Sequence, residues 1–125
     1  MPIALFDSVN RGLAQALTFH HRRHEILATN IANIETPGYR ARDFEFSDAL
    51  EVAFEGQEMA EAQAAGAFAP RVVDKPSNLT RPDGNTVDLD LEMARLADNR
   101  STYTAMAEIL ARRLGELRRA IEQAR

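Results

Sequence analysis

The sequence has no cysteine among its 125 residues. Disulfides, thiolate metal sites and cysteine nucleophiles are thereby excluded, and an oxidising, extracytoplasmic setting is compatible with the chain. No apolar run approaches the roughly 18 residues that a membrane-spanning helix requires. The opening stretch, Met1 to Phe6, has neither a basic n-region nor a continuous apolar h-region, so no cleavable secretory signal is expected. Export, if it occurs, would follow a route that leaves the N-terminus intact. A basic arm is also lacking. The net charge is −4, from 15 Lys and Arg against 19 Asp and Glu. Residues 1–36 carry three arginines against three acids, and residues 88–125 seven against seven. The whole imbalance lies in residues 37–87, with nine acids against five bases. A nucleic-acid partner is not expected from such a distribution, whereas balanced ends suit packing against further copies of the chain. No nucleophile elbow, phosphate loop or dinucleotide fingerprint occurs. The chain is therefore not read as an enzyme, and neither a small-molecule substrate nor a cofactor is expected.

What the chain does have is an apolar heptad at each end. The first stripe runs Ile3, Phe6, Asn10, Leu13, Leu17, His20, His24, Leu27, Ile31, Ile34. The second runs Leu89, Met93, Leu96, Arg100, Tyr103, Ala107, Leu110, Leu114, Leu117, Ile121. Both alternate steps of three and four, the 3.5-residue period that keeps one seam facing a neighbouring helix. The expected fold is mainly α, with long terminal helices packed as an antiparallel coiled-coil hairpin. Residues 1–36 and 88–125 form its two arms, and a short irregular middle, 37–87, has room for short β-strands. Apolar residues also lie off the seams, at Leu5, Val9, Ala16, Phe19, Ile26, Met106 and Ile109. Two rods cannot cover all of these by packing on each other, and large exposed apolar patches mark interfaces. A multimer is expected unless the middle segment folds back over them.

Local signals refine this plan. The first helix is expected from about Ala4–Asp7 to Asn33, because Pro37 disfavours helical backbone at Thr36. Thr36-Pro37-Gly38-Tyr39 has the residue order of a type II turn, with glycine where φ must be positive. The partial alternation of Ala41 to Phe46 suggests an extended segment with Arg42, Phe44 and Phe46 on one side. Ser47-Asp48 could cap a short helix over residues 49–54, residues 55–70 read as a loop, and Arg71 to Asp74 as a short strand. Asp88 is the expected N-cap of the second helix. Acids at its start and Arg112, Arg113, Arg118 and Arg119 toward its end complement the helix dipole.

Candidate chemical sites are few. His20 and His24 lie four apart on one helix face, but His21 stands where the zincin pattern needs glutamate. The pair is read as register-setting or exposed-face packing, not as a metal site. Asp83, Asn85, Asp88 and Asp90 lack the order of a calcium loop and read as a turn followed by a cap. Glu51, Glu55 and Glu58 read as a solvated face. Asn30 and Asn33, just before the turn, either end the helix through side-chain hydrogen bonds or bind a neighbouring chain.

The stretch from Leu27 to Tyr39, containing Asn30-Ile31-Ala32-Asn33 and then Thr36-Pro37-Gly38-Tyr39, resembles the N-terminal signature of bacterial flagellar axial proteins of the rod and hook class. Arg40-Ala41-Arg42-Asp43-Phe44 and the run Asp83 to Asp90, continuing through Met93 and Asn99 to Tyr103, are similar to the proximal-rod branch of that family. The resemblance implies a structural subunit whose terminal helices pack as a coiled coil in the inner layer of a tubular rod. It implies type III export, a place in the periplasmic rod of the basal body, and several partners. These are other copies of the chain, other rod subunits, the rod-to-export-gate junction protein, the inner-membrane ring and the export apparatus. The motif residues would then serve as a subunit interface. The coiled-coil seam would comprise Leu13, Leu17, Leu27, Ile31, Leu89, Met93, Leu96, Tyr103, Leu110, Leu114, Leu117 and Ile121. Another proximal-rod subunit, or a soluble helical-hairpin adaptor using the same stripes, are the alternatives.

Overall fold

A computed structural model describes residues 2–45 and 71–124, with side chains from residue 8 onward in the first helix. Helix α1 spans Pro2–Ala32, strand β1 Arg42–Phe44, strand β2 Val72–Asp74 and helix α2 Leu89–Gln123. Proline opens α1, where its missing N–H costs nothing and its fixed φ already suits the helix. The other end tightens before it stops. Asn33 N donates to both Thr29 O (3.1 Å) and Asn30 O (3.2 Å), and Ile34 N donates to Ile31 O (3.2 Å). Such shared three- and four-residue bonds are common at helix ends. Gly38 at φ +72° and the bond from Tyr39 N to Thr36 O (3.3 Å) then close a turn of the expected type.

After the turn the chain runs extended through β1, which pairs antiparallel with β2, Arg42 opposite Asp74 and Phe44 opposite Val72. The segment leading to α2 lies along the turn. Gly38 N donates to Asp83 O (2.9 Å), and Thr86 N donates to Tyr39 O (3.0 Å). Asp88 caps α2 as expected, its side chain accepting from Asp90 N and Leu91 N. The last turn of α2 holds no basic side chain; the arginines end earlier, so the dipole match is weaker at that end than the composition suggested.

The two helices are antiparallel. His20 of α1 meets Asn99 of α2, while Asn30, ten residues further along α1, meets Glu92. Among the described residues the buried apolar ones are Phe19, Leu27, Ala41, Phe44 and Val87. They gather at one end of the hairpin, where the extended middle packs onto the helices. Phe19 and Phe44 stack there with ring centroids 4.9 Å apart. Phe19 lies off the seam, and the return segment packs on it through Phe44, which for this residue is the alternative of a middle folded back over the rods.

Other expectations are revised. β1 does not place one alternating face inward: Asp43 and Phe44 are both buried and Arg42 is exposed. Asp43 turns in because Arg23 of α1 grips it through two bonds, Nε to Oδ1 (2.9 Å) and Nη2 to Oδ2 (3.0 Å). A charge pair therefore overrides the period-two pattern. The proposed helix over 49–54 and the loop over 55–70 lie outside the described residues.

Leu27 has no exposed surface, so Leu27→Ala should cost about 2–5 kcal/mol, through lost burial and the cavity it leaves. Ile109, 46 % exposed on α2, serves as control, and Ile109→Ala should shift stability by under about 0.5 kcal/mol. Urea titration followed by circular dichroism checks both; equal midpoints for the two variants would remove Leu27 from the core.

Candidate functional site

The described residues bury more polar side chains than apolar ones: His20, Asn30, Asp43, Asn85, Thr86, Glu92 and Asn99. Burying a polar group is costly unless it finds partners, and these find one another across the end of the hairpin. Asn30 is the centre. Its Nδ2 donates to Arg42 O (2.6 Å) and to Glu92 Oε2 (3.0 Å). Its Oδ1 accepts from Arg42 N (3.0 Å) and from the Tyr39 hydroxyl (3.1 Å). One carboxamide thus uses two donors and two acceptor lone pairs. It ties α1 to the turn, to β1 and to α2.

Asn85 does the same for the end of α1. Its Nδ2 lies within hydrogen-bonding distance of the carbonyls of Asn33 (3.0 Å), Ile34 (3.0 Å) and Thr36 (2.8 Å). Its Oδ1 accepts from Val87 N (2.8 Å). The orphan carbonyls at a helix C-terminus need such partners. Here they are supplied from about fifty residues away, with Arg81 Nη2 also donating to Ile34 O. Thr86 Oγ1 accepts from Ala41 N (2.9 Å). Further along the hairpin, His20 Nδ1 donates to Asn99 Oδ1 (2.7 Å), and Asn99 Nδ2 returns a bond to His20 O (2.8 Å). Glu92, held by Asn30 on one oxygen, takes Arg95 Nη1 on the other at 2.9 Å.

Burial pushes the Tyr39 phenol above its ordinary pKa of 10.0; the Glu92 carboxylate pushes the same way, and the Arg42 guanidinium opposes them. The hydroxyl is consequently protonated at neutral pH, as its donation to Asn30 requires. This cluster consists of side chains engaged by other parts of the same chain. Chemically it is a clasp that fixes the return angle between two helices. Among the described residues no three His, Asp or Glu side chains are grouped to hold a metal ion.

The motif residues divide. Asn30 is buried, Ile31, Asn33 and Tyr39 are half-buried, and Ala32, Thr36, Pro37 and Gly38 are exposed. Asn33 Nδ2 donates to Thr29 O (2.8 Å), and its Oδ1 accepts from Thr36 Oγ1 (3.1 Å). Asn33 thus does close the helix locally, while Asn30 spans to α2, a role neither reading of its position contained. His20 is buried on Asn99, whereas His24 is exposed, so the histidine pair does not act as a unit.

The seam residues divide as well. Leu27 is buried, and Leu13, Leu17, Ile31, Leu96, Leu110 and Leu117 are half-buried. Leu89 (45 %), Met93 (53 %), Tyr103 (38 %), Leu114 (51 %) and Ile121 (65 %) are exposed. Within this chain, α2 turns Glu92 and Asn99 toward α1 and leaves much of its apolar stripe outward. Glu92, Asn99, Asn85 and Asp43 were not singled out from the sequence as buried partners. A faint signal existed in Glu92 and Asn99, seven apart on the same helix. Asn85 and Asp43 carry none, because their partners are remote in sequence.

A helical hairpin held by a polar clasp, with an apolar stripe outside it, defines a structural packing protein. In sequence the chain is 38 % identical over 126 residues to the flagellar basal body rod protein FlgB of Salmonella typhimurium, covering 86 % of this chain and 88 % of that one. It is 34 % identical over 135 residues to FlgB of Yersinia ruckeri, covering 94 % and 96 %, and 35 % identical over 115 residues to FlgB of Cereibacter sphaeroides, covering 87 % and 90 %. No family model matches the chain. At this identity and coverage the chain belongs to the FlgB family of flagellar basal body rod proteins.

Two predictions test the clasp. Asn85→Ala removes the donor from the carbonyls of residues 33, 34 and 36 and the acceptor from Val87 N–H, so it should cost about 1–3 kcal/mol. Amide exchange should quicken at residues 36, 38, 39 and 87; unchanged exchange there would show that the cap carries no weight. A raised folded-state pKa of Tyr39 means the unfolded chain loses that proton first. Stability from Tyr39 is then complete below pH 10.0 and falls as pH rises through the folded value. Tyr39→Phe should flatten this alkaline decline in urea midpoint; a decline identical to that of the parent would show that Tyr39 does not cause it.

Proposed function

We propose that the chain is a structural subunit of the proximal rod, the drive shaft of the flagellar basal body, and that it assembles through the outward apolar stripe of α2. The observation that supports this most is the division of labour on α2. The helix holds its own chain through Glu92 and Asn99, while Leu89, Met93, Tyr103, Leu114 and Ile121 stay in solvent. Removing large apolar side chains from water stabilises association by about 25 cal/mol per Å² buried. A stripe repeated along 35 residues offers that gain over the whole length of a neighbouring helix.

In this reading the chain passes through the type III export apparatus and takes its place in the periplasmic rod. Its neighbours are other copies of itself, other rod subunits, the junction protein beneath the rod and the inner-membrane ring. The motif around the turn shapes this assembly indirectly. Thr36, Pro37 and Gly38 present the solvent-facing corner, and Asn30 and Tyr39 hold that corner at a set angle. The role is mechanical, and it needs no substrate.

Leu89→Glu with Met93→Glu tests the stripe. Both side chains are exposed, so helicity and urea midpoint should stay within about 0.5 kcal/mol of the parent. Sedimentation with rod partners should shift to unassembled species, and cells carrying only this variant should be non-motile. Normal rods and motility in such cells would overturn the stripe as the assembly surface. Gly38→Val forces a branched side chain into φ +72°, which is strained whatever the space around it. Fewer rods and reduced motility are expected; wild-type swimming would count against the turn as a requirement for assembly.

A further inference from the structure

Among the described residues, every buried one lies within 19–44 or 85–99. The outermost buried pair joining the two helices is His20 with Asn99. Asn99 Nδ2 donates to His20 O at 2.8 Å, and a carbonyl oxygen can only accept, so the amide has one orientation. Its Oδ1 then takes the hydrogen of His20 Nδ1 at 2.7 Å. The imidazole meets Phe19 edge-on, with centroids 5.3 Å apart, and Phe19 stacks on Phe44 of β1. Residue 99 thus faces α1 at a fixed rotation. Asn10 and Gln15, further out on α1, do not add to this, since their shielded amide oxygens have no hydrogen-bond partner. Past Asn99, α2 continues to Gln123, about 36 Å at 1.5 Å per residue.

The outward stripe lies just round the helix from Asn99. At about 100° per residue, Tyr103 and Ile121 stand about 40° from Asn99 and Leu114 about 60°, all on the same side. All three are exposed. A roll of this outer arm by about 50° would lay them on α1 of the same chain, and taking apolar surface out of water favours that move. We propose that the His20–Asn99 pair is a rotational lock, which holds the outer arm of α2 at the angle that keeps Tyr103, Leu114 and Ile121 outward. Turning Asn99 away from α1 breaks both bonds and leaves the His20 N–H and carbonyl buried without partners, which is costly. Two leucines in the same place have no such angular preference. Replacing a buried polar pair by apolar residues is often neutral or stabilising, so the pair contributes orientation in place of adhesion. The lock rests on the proposed function for the use of the stripe and deepens it. Two residues buried inside one chain decide whether its assembly surface is available or folded back on itself.

The chain has no cysteine, so a single introduced thiol reports the angle. Leu114→Cys stands on the stripe. Met106→Cys stands at a half-buried position, about 20° from Asn99 on the other side. Each is made in the full chain, once with the parent's lock and once with His20→Leu and Asn99→Leu together. The rate of reaction with a soluble thiol reagent is measured, and circular dichroism checks that helicity is kept. Removing the lock should change the two rates in opposite directions: the thiol at 114 slows several-fold and the thiol at 106 quickens. Any other pattern, whether unchanged rates or both rising together as in general loosening, overturns the lock. Should the leucine pair not fold, Asn99→Ala takes away both bonds without adding bulk, and the same two rates decide in the same way. The rod reading fails by a different measurement, since it falls if rods and motility survive Leu89→Glu with Met93→Glu, whatever the thiol rates show.

Discussion

The Asn30 carboxamide is the constraint on which the rest of this hairpin depends. It is fully buried, and its four hydrogen bonds reach the turn, β1 and α2. A buried amide left with a missing partner costs free energy of the same order as a lost hydrogen bond. All four bonds are made together in the observed arrangement of the three elements. Asn85 extends the same logic to the end of α1, and Asp43 with Arg23 fixes the return strand against the helix. The clasp therefore constrains the angle at which the described elements meet.

That polar character has a consequence for the outer surface. A helix that meets its partner through Glu92 and Asn99 has its apolar stripe left over. In a chain selected to stand alone, such a stripe would be an aggregation liability. Under the proposed function it is the surface that neighbouring subunits cover. On that proposal, specificity within the chain and adhesion between chains fall to adjacent faces of one helix.

Much of the plan was legible in the residues. The 3.5-residue period marked both long helices, since an apolar side chain every three or four positions has no other regular solution. Pro37 and Gly38 marked the turn through their own backbone limits, and Asp88 marked the start of α2 because its carboxylate bonds the amides just beyond it. The clasp was not legible. Asn30 could be read as a helix terminator or as an interface residue, and both readings used only its neighbours in sequence. Asp43 interrupted an alternation that a period-two reading would have sent outward.

Local backbone physics acts over a few residues, and so the sequence by itself determined the two helices, the turn between α1 and β1, and the cap of α2. Tertiary structure alone decided which face of α2 turns inward, because Glu92 and Asn99 each stand one residue before a stripe position, Met93 and Arg100, and a hydrophobic period does not say that the polar pair meets α1. It also decided that Asn85 caps a helix that ends some fifty residues earlier, and that a buried arginine–aspartate pair holds β1 in place. Such pairings depend on which groups meet once the chain has folded back, and their energy comes from desolvated hydrogen bonds that no local pattern encodes.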